Sequence, residues 1–259
     1  MSKKVLAFDL DGTLAPSKSS LPLKMGEILG ELLDYFQICV ISGGKFGQFE
    51  TQLLEGLHVG DSKLTKLHVM PTCGTQYYRY EEATSQWSQV YAENFTEEEK
   101  TKIIKALNDG VDALGYREPT TYGEIIEDRG SQITFSALGQ DIVAELGDEG
   151  VRLKEEWDPD HNKKNTLRNY VVEQIPEFEV RVGGGTSIDI TKPGIDKAYG
   201  MNKLMDILNI TKEDILFFGD RLVEGGNDYP VKQMGIDSLE VNRWEDTVLR
   251  LETILHIVK

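Results

Sequence analysis

Cysteine is scarce: Cys39 and Cys73 are the only two in 259 residues. That is too few for a disulfide-framed secreted fold, and the paired spacing of a zinc site is missing. Both stand beside hydrophobic or turn segments and read as small buried thiols. The histidines, His58, His68, His161 and His256, show no ligand spacing. No stretch of about 18 uncharged apolar residues exists, so no membrane-spanning helix is expected. The start, Met1-Ser2-Lys3-Lys4, is basic, but the apolar run behind it breaks at Asp9, too soon for a signal peptide. The expected compartment is the cytoplasm. Positive charge is also short. Lys and Arg number 28 against 44 Asp and Glu, a formal net charge of −16. Such a field argues against nucleic acid and anionic membrane as partners. An anionic substrate would need a local cationic site against that field. No internal repeat or low-complexity tract is present.

What is present is an interrupted α/β pattern. Val5-Leu6-Ala7-Phe8 is a short apolar run of the kind that suits a strand buried on both faces. Residues 21–36 carry Leu23, Ile28, Leu29, Leu32, Leu33 and Phe36 at helical spacing. Ile38-Cys39-Val40-Ile41 reads as a second buried strand, and 45–57 as a second helix. Strand, helix, strand, helix predicts an α/β sheet. The middle differs. Tyr77 to Trp87 alternates like hairpin strands, and Thr96-Glu97-Glu98-Glu99 forms a capping box ahead of a helix that ends near Gly115. A strand pair around Gly130, a helix at 159–173 and a strand at Glu179–Val182 complete an α+β insert. The α/β pattern then resumes with a helix at 197–208, the strand Ile215-Leu216-Phe217-Phe218 and a helical tail at 244–257. The reading is a split core, 1–86 and 186–259, with an inserted cap at 87–185.

Three apolar strands end in polar residues: Asp9, Ser42 and Asp220. In open parallel sheets the ligand crevice lies at the carboxyl ends of the strands, so these residues define one candidate site. In Phe8-Asp9-Leu10-Asp11-Gly12-Thr13-Leu14, the strand-end carboxylate of Asp9 is the type of group that attacks phosphorus to form an aspartyl-phosphate. Asp11, two residues on, can serve as a proton donor in the same cleft. Gly12 permits a sharp turn whose backbone N–H groups can face phosphate oxygens. In Ser42-Gly43-Gly44-Lys45 a hydroxyl, small residues and a following helix make an anion site to which Lys45 adds charge. Lys197, in Gly194-Ile195-Asp196-Lys197, opens a helix against its dipole, which a bound phosphate would turn favourable. Asp220, Asn227 and Asp228 share one glycine-rich loop of hard oxygen ligands suited to Mg²⁺. Asp9, Asp11, Asp220 and Asp228 brought together would repel one another and a phosphate. A divalent ion would neutralise them and polarise the phosphoryl group. The loop is no EF-hand, because alternating ligands are missing. Trp87, Trp157 and Trp244 read as packing residues.

These four elements in this order resemble the haloacid dehalogenase superfamily of phosphotransferases. The resemblance implies a Rossmann-like three-layer core with a parallel sheet and an inserted α+β C2-type cap. It also implies Asp9 as nucleophile and Asp11 as general acid/base. Ser42 and Lys197 would hold phosphate, and Asp9, Asp11 and Asp220 would surround Mg²⁺, with Asp228 supporting the metal or Lys197. Within the superfamily the chain is most similar to eukaryotic-type phosphomannomutases, through Gly225–Asp228 and through Gly184-Gly185-Thr186-Ser187-Ile188-Asp189 followed by Gly194–Lys197. There Ser187 and Asp189 would take sugar hydroxyls or a distal phosphate. Cap arginines hold the far phosphate in that family. This chain keeps Arg129 but has Tyr122 and Gln140 at the flanking arginine positions, and Lys18 where an arginine follows the DGT loop. Arg binds phosphate bidentately and Tyr or Gln cannot. The expectation is therefore a Mg²⁺-dependent phosphatase acting on a small phosphorylated metabolite, a sugar phosphate. The alternative is a hexose phosphate mutase. The chain is expected as a monomer or a homodimer through the cap.

Overall fold

A computed structural model describes residues 3–259. The chain forms two compact units: one runs to Ala92 and resumes from Ile195 to Lys259, the other spans Glu93–Gly194. In the first unit the elements run β1 (Val5–Phe8), α1 (Leu23–Leu32), β2 (Gln37–Ile41), α2 (Phe46–Phe49), α3 (Asp61–Leu64), β3 (Leu67–Met70), β4 (Gln76–Glu81) and β5 (Gln86–Ala92). The second unit holds α4 (Glu97–Leu114), β6 (Ile126–Asp128), β7 (Gln132–Ser136), α5 (Ile142–Leu146), α6 (Asp148–Trp157), α7 (Asn162–Gln174), β8 (Glu179–Val182) and β9 (Ser187–Thr191). The first unit then closes with α8 (Lys197–Leu208), β10 (Ile215–Gly219), α9 (Tyr229–Gln233), β11 (Asp237–Glu240) and α10 (Trp244–Val258).

The core sheet has seven strands in the order β11-β10-β1-β2-β3-β4-β5. The first five are parallel, and β4 and β5 turn antiparallel at the edge. Every residue of β1 is buried because both sheet faces are covered. Leu6 and Phe8 pack with Leu29, Val40 and Leu251 on the α1 and α10 side. Val5 and Ala7 pack with Cys39, Met201, Phe217 and Val231 on the α8 and α9 side. These are the three layers expected of an α/β core.

The cap sheet is a separate four-stranded antiparallel sheet, order β6-β7-β9-β8. Its apolar face, Ile133, Phe135, Ile188 and Ile190, packs with Leu107, Val111, Leu167 and Val171 of α4 and α7. The capping box of α4 forms as read: Glu99 N–H donates to Thr96 Oγ1 at 3.2 Å and Thr96 N–H to Glu99 Oε2 at 2.7 Å.

Two features differ from the sequence reading. The boundaries fall at 92/93 and 194/195 rather than 86/87 and 185/186, because β5 pairs with β4 in the core sheet and β9 is central in the cap sheet. The helix read at 45–57 is one α-turn, α2, running into a π-turn over Glu50–Leu54. No described helix is long and apolar enough to cross a membrane.

Candidate active site

Asp9 follows β1, Ser42 follows β2 and Asp220 follows β10. Phe8 lies in register with Val40 on one side and Phe218 on the other. Neighbouring parallel strands therefore release all three residues at the same end of the sheet. The Asp9 N–H continues the ladder by donating to the Phe218 carbonyl at 3.0 Å.

Lys197 arrives from the first turn of α8, where Asp196 is the N-cap and accepts from the Tyr199 N–H at 2.9 Å. Its ammonium stands 2.6 Å from Asp9 Oδ1 and 2.5 Å from Asp228 Oδ1, with all three side chains at most 5% exposed. Asp228 is held at its other oxygen by the Arg221 N–H at 3.0 Å, which ties the loop after β10 closed. Gly12 adopts a φ of +80°, and a Cβ there would lie 2.8 Å from Asp220 Oδ2. The first loop thus approaches Asp220 only because it carries glycine.

The electrostatics are unbalanced. Carboxylate oxygens of Asp9, Asp220 and Asp228 lie within 4.8 Å of one another. Against these three carboxylates stand the buried Lys197 ammonium and the exposed Arg221 guanidinium, 3.9 Å from Asp220. Burial pushes the Asp9 carboxyl up to about 8 against the pull of Lys197, with Asp228 and Asp220 adding to the rise. Burial raises Asp220 as well, helped by Asp228. Burial opposes the Lys197 charge, but Asp9 and Asp228 outweigh it and hold the ammonium above an ordinary lysine. Three hard oxygen donors with surplus negative charge fit a divalent cation such as Mg²⁺.

Asp11 is placed differently. Its Oδ1 accepts from the Lys18 N–H at 2.6 Å and Gln52 Nε2 at 3.0 Å, and its Oδ2 from Gln48 Nε2 at 2.8 Å. Its side chain is not among the three converging carboxylates. Sequence reading passed over both glutamines. Their one signal is the four-residue spacing behind the Ser-Gly-Gly turn. Ser42 is buried, with its Oγ accepting from the Gly44 N–H at 3.3 Å. Gly43 lies between them. Lys45 and Asn227 are exposed. Lys18 is half-buried at a positive φ of 53° and meets Asp11 through its backbone.

In the cap, the sheet face opposite the apolar one is polar and self-paired. Asp189 Oδ1 accepts from Thr134 Oγ1 at 2.7 Å and Gln132 Nε2 at 2.9 Å. Arg129 pairs with Glu127 at 2.7 Å and donates to Gln140 Oε1 at 3.4 Å. Arg181 pairs with Glu179 at 2.6 Å. Ser187 opens β9 opposite Ser136. Trp157 donates to Glu118 Oε1 at 2.7 Å and meets Tyr116 edge to face.

A sequence model of eukaryotic phosphomannomutase matches residues 25–257. The chain belongs to that family. It is 28% identical over 257 residues to a phosphomannomutase of Encephalitozoon cuniculi, covering 98% of this chain and 94% of that one. It is 27% identical to a phosphomannomutase of Schizosaccharomyces pombe, covering 98% and 95%. Its fold is similar to a haloacid dehalogenase-like hydrolase from Bacteroides thetaiotaomicron, with a TM-score of 0.65, 14% identity, and 98% and 100% coverage. It is also similar to an IMP-bound IMP-nucleotidase of Plasmodium falciparum, with a TM-score of 0.68, 17% identity, and 98% and 68% coverage. The protein is therefore an enzyme of the haloacid dehalogenase superfamily, with the α/β core and mostly parallel sheet of that fold.

Proposed function

We propose that this family member is a Mg²⁺-dependent phosphatase of a small sugar phosphate, working through an aspartyl-phosphate on Asp9. The convergence of Asp9, Lys197, Asp228 and Asp220 at adjoining strand ends carries the reading. Asp9 supplies the attacking carboxylate oxygen. Lys197, fixed between Asp9 and Asp228, supplies a fixed positive charge for the transferring phosphoryl oxygens. Asp9 and Asp220 would hold the Mg²⁺, with Asp228 behind Lys197. The ion would supply charge neutralisation and polarisation of the phosphoryl group. Asp11 protonates the leaving oxygen and then deprotonates the water that opens the aspartyl-phosphate. Ser42, Gly43 and the Gly12 turn take the phosphate.

The cap favours water over a second sugar position as phosphoryl acceptor. A mutase must hold a bisphosphate by both ends. Arg129 is already neutralised by Glu127, and an uncharged Gln140 stands beside it. Hydrogen bonds to charged groups contribute about 1.5–3 kcal/mol each, so missing arginines weaken bisphosphate retention by orders of magnitude. Family membership and the names of the relatives favour the second reading, a hexose phosphate mutase. Phosphate release and isomerisation of mannose 1-phosphate, each with and without a hexose bisphosphate, separate the two. Net phosphate release is expected. Fast isomerisation without release would replace the phosphatase reading, and an active Asp9→Asn variant would remove the nucleophile assignment from both.

A further inference from the structure

Asp11 carries both proton transfers in the proposed reaction, yet its carboxylate is turned into a set of uncharged donors rather than toward the other acids. Both of its oxygens are occupied, one by Lys18 N–H and Gln52 and the other by Gln48. The two glutamines are themselves linked, with Gln48 Nε2 donating to Gln52 Oε1 at 2.9 Å. Gln52 is 3% exposed and reaches the Pro16 carbonyl at 3.4 Å, which anchors it to the same loop that carries Asp11.

The backbone is shaped around this pair. Gln48 lies in α2 and Gln52 in the π-turn that follows, where Glu55 N–H donates to the Glu50 carbonyl at 3.0 Å, five residues back. Such π-turns are uncommon and concentrate at functional sites. A Cβ at Gly44 would lie 2.1 Å from Gln48 Oε1, so the glycine keeps open the space that the amide occupies. The chemistry of the pair suits the task. An amide donates to a carboxylate through its NH₂ and, turned over, accepts from a carboxylic acid through its oxygen. A lysine or arginine in the same place could serve only the anion.

We propose that Gln48 and Gln52 are positioning residues for Asp11: a linked amide clamp that fixes the direction of its carboxyl group for proton transfer to the leaving sugar oxygen. This rests on the reading of Asp11 as general acid/base. In that step the Asp9–phosphorus bond forms, the bond from phosphorus to the sugar oxygen breaks, and the proton passes from Asp11 to that oxygen.

The test uses two substrates with the full chain and Mg²⁺. A sugar phosphate expels an alkoxide that needs a proton, whereas p-nitrophenyl phosphate expels a phenolate that leaves without one. The ratio kcat/KM reports only steps through transfer to Asp9, so it isolates this difference. Gln52→Met is expected to lose roughly tenfold or more on the sugar phosphate beyond its loss on the aryl phosphate, with KM changed little. Gln48→Met is expected to show the same sign with smaller size, and it decides the question if Gln52→Met does not fold. Equal losses on both substrates, or no loss, would overturn the clamp. Asp11→Asn is run in parallel. If it shows the leaving-group dependence and the glutamine variants do not, the clamp alone falls. If it shows none, the role of Asp11 falls and the clamp with it.

Discussion

The strand-end cluster and the polar face of the cap sheet both carry charged side chains, but they neutralise them in opposite ways. In the cluster, the buried Lys197 answers Asp9 and Asp228, residues from distant parts of the chain, and a third carboxylate, Asp220, meets the exposed Arg221 at 3.9 Å, which leaves negative charge in excess. On the cap, Arg129 answers Glu127 and Arg181 answers Glu179, each two residues away on the same strand or its end. Asp189 is met by the neutral donors Gln132 and Thr134. Charge that the fold assembles over long range and leaves in excess suits a divalent cation. Charge settled locally leaves a polar surface with little net charge.

The largest expected effect comes from removing the cation of the cluster. Lys197→Met strips two buried carboxylates of their partner, and breaking a buried pair typically costs about 3–5 kcal/mol. Urea unfolding in the presence of a chelator should show that loss, and Mg²⁺ should restore part of it. An unchanged midpoint would mean that the cluster is not held by charge. Next, Gln140→Arg gives the cap a second cation beside Arg129. Affinity for a hexose bisphosphate should rise about 10- to 100-fold, from the ~1.5–3 kcal/mol of a charged hydrogen bond. Inhibition of phosphate release by the bisphosphate measures this, and equal inhibition of both proteins would erase the contrast drawn above.

The third prediction concerns pH. Asp9 sits at about 8 in the folded protein, against about 3.9 for an ordinary Asp. Between these values the folded state keeps a proton that the unfolded chain releases. This group therefore contributes a loss of stability as pH rises from about 4 to about 8 without metal. Mg²⁺ prefers the ionised carboxylate, so the rise in Tm on adding it should grow across the same window. A rise independent of pH would contradict the assignment. The smallest effect is expected from Thr134→Val, which removes one of two donors to Asp189 and should cost about 1 kcal/mol in thermal unfolding.

The core was legible where burial on both faces forces continuous apolar runs, as in Val5–Phe8, Ile38–Ile41 and Ile215–Phe218. The polar residues that end those runs drew attention to Asp9, Ser42 and Asp220. β11 escaped notice because Asp237-Ser238-Leu239-Glu240 is a polar edge strand. β3 escaped because His68 interrupts it. In the structure that histidine is buried, bonded to the Tyr77 hydroxyl and to Gln37 Oε1, each at 2.7 Å, and burial lowers its pKa to about 3. The glutamines around Asp11 were passed over because an uncharged amide on a helix reads as surface and a four-residue spacing alone is a weak signal. The π-turn and the Gly44 space mark them in the structure. The cap boundaries shifted because sheet membership of β5 and β9 depends on pairing partners that composition does not show.

The placement of β1 between β2 and β10 also governs how the molecule comes into being. Val5 must find Ile215, across the whole length of the cap. Loop closure of that span slows assembly relative to local pairing. The cap sheet, whose strands all lie between Ile126 and Thr191, can complete its hydrogen bonds while the emerging chain still lacks β10. During synthesis, then, the cap sheet can be complete before the strand-end cluster is, because that cluster waits for Asp220 and Asp228, which follow β10.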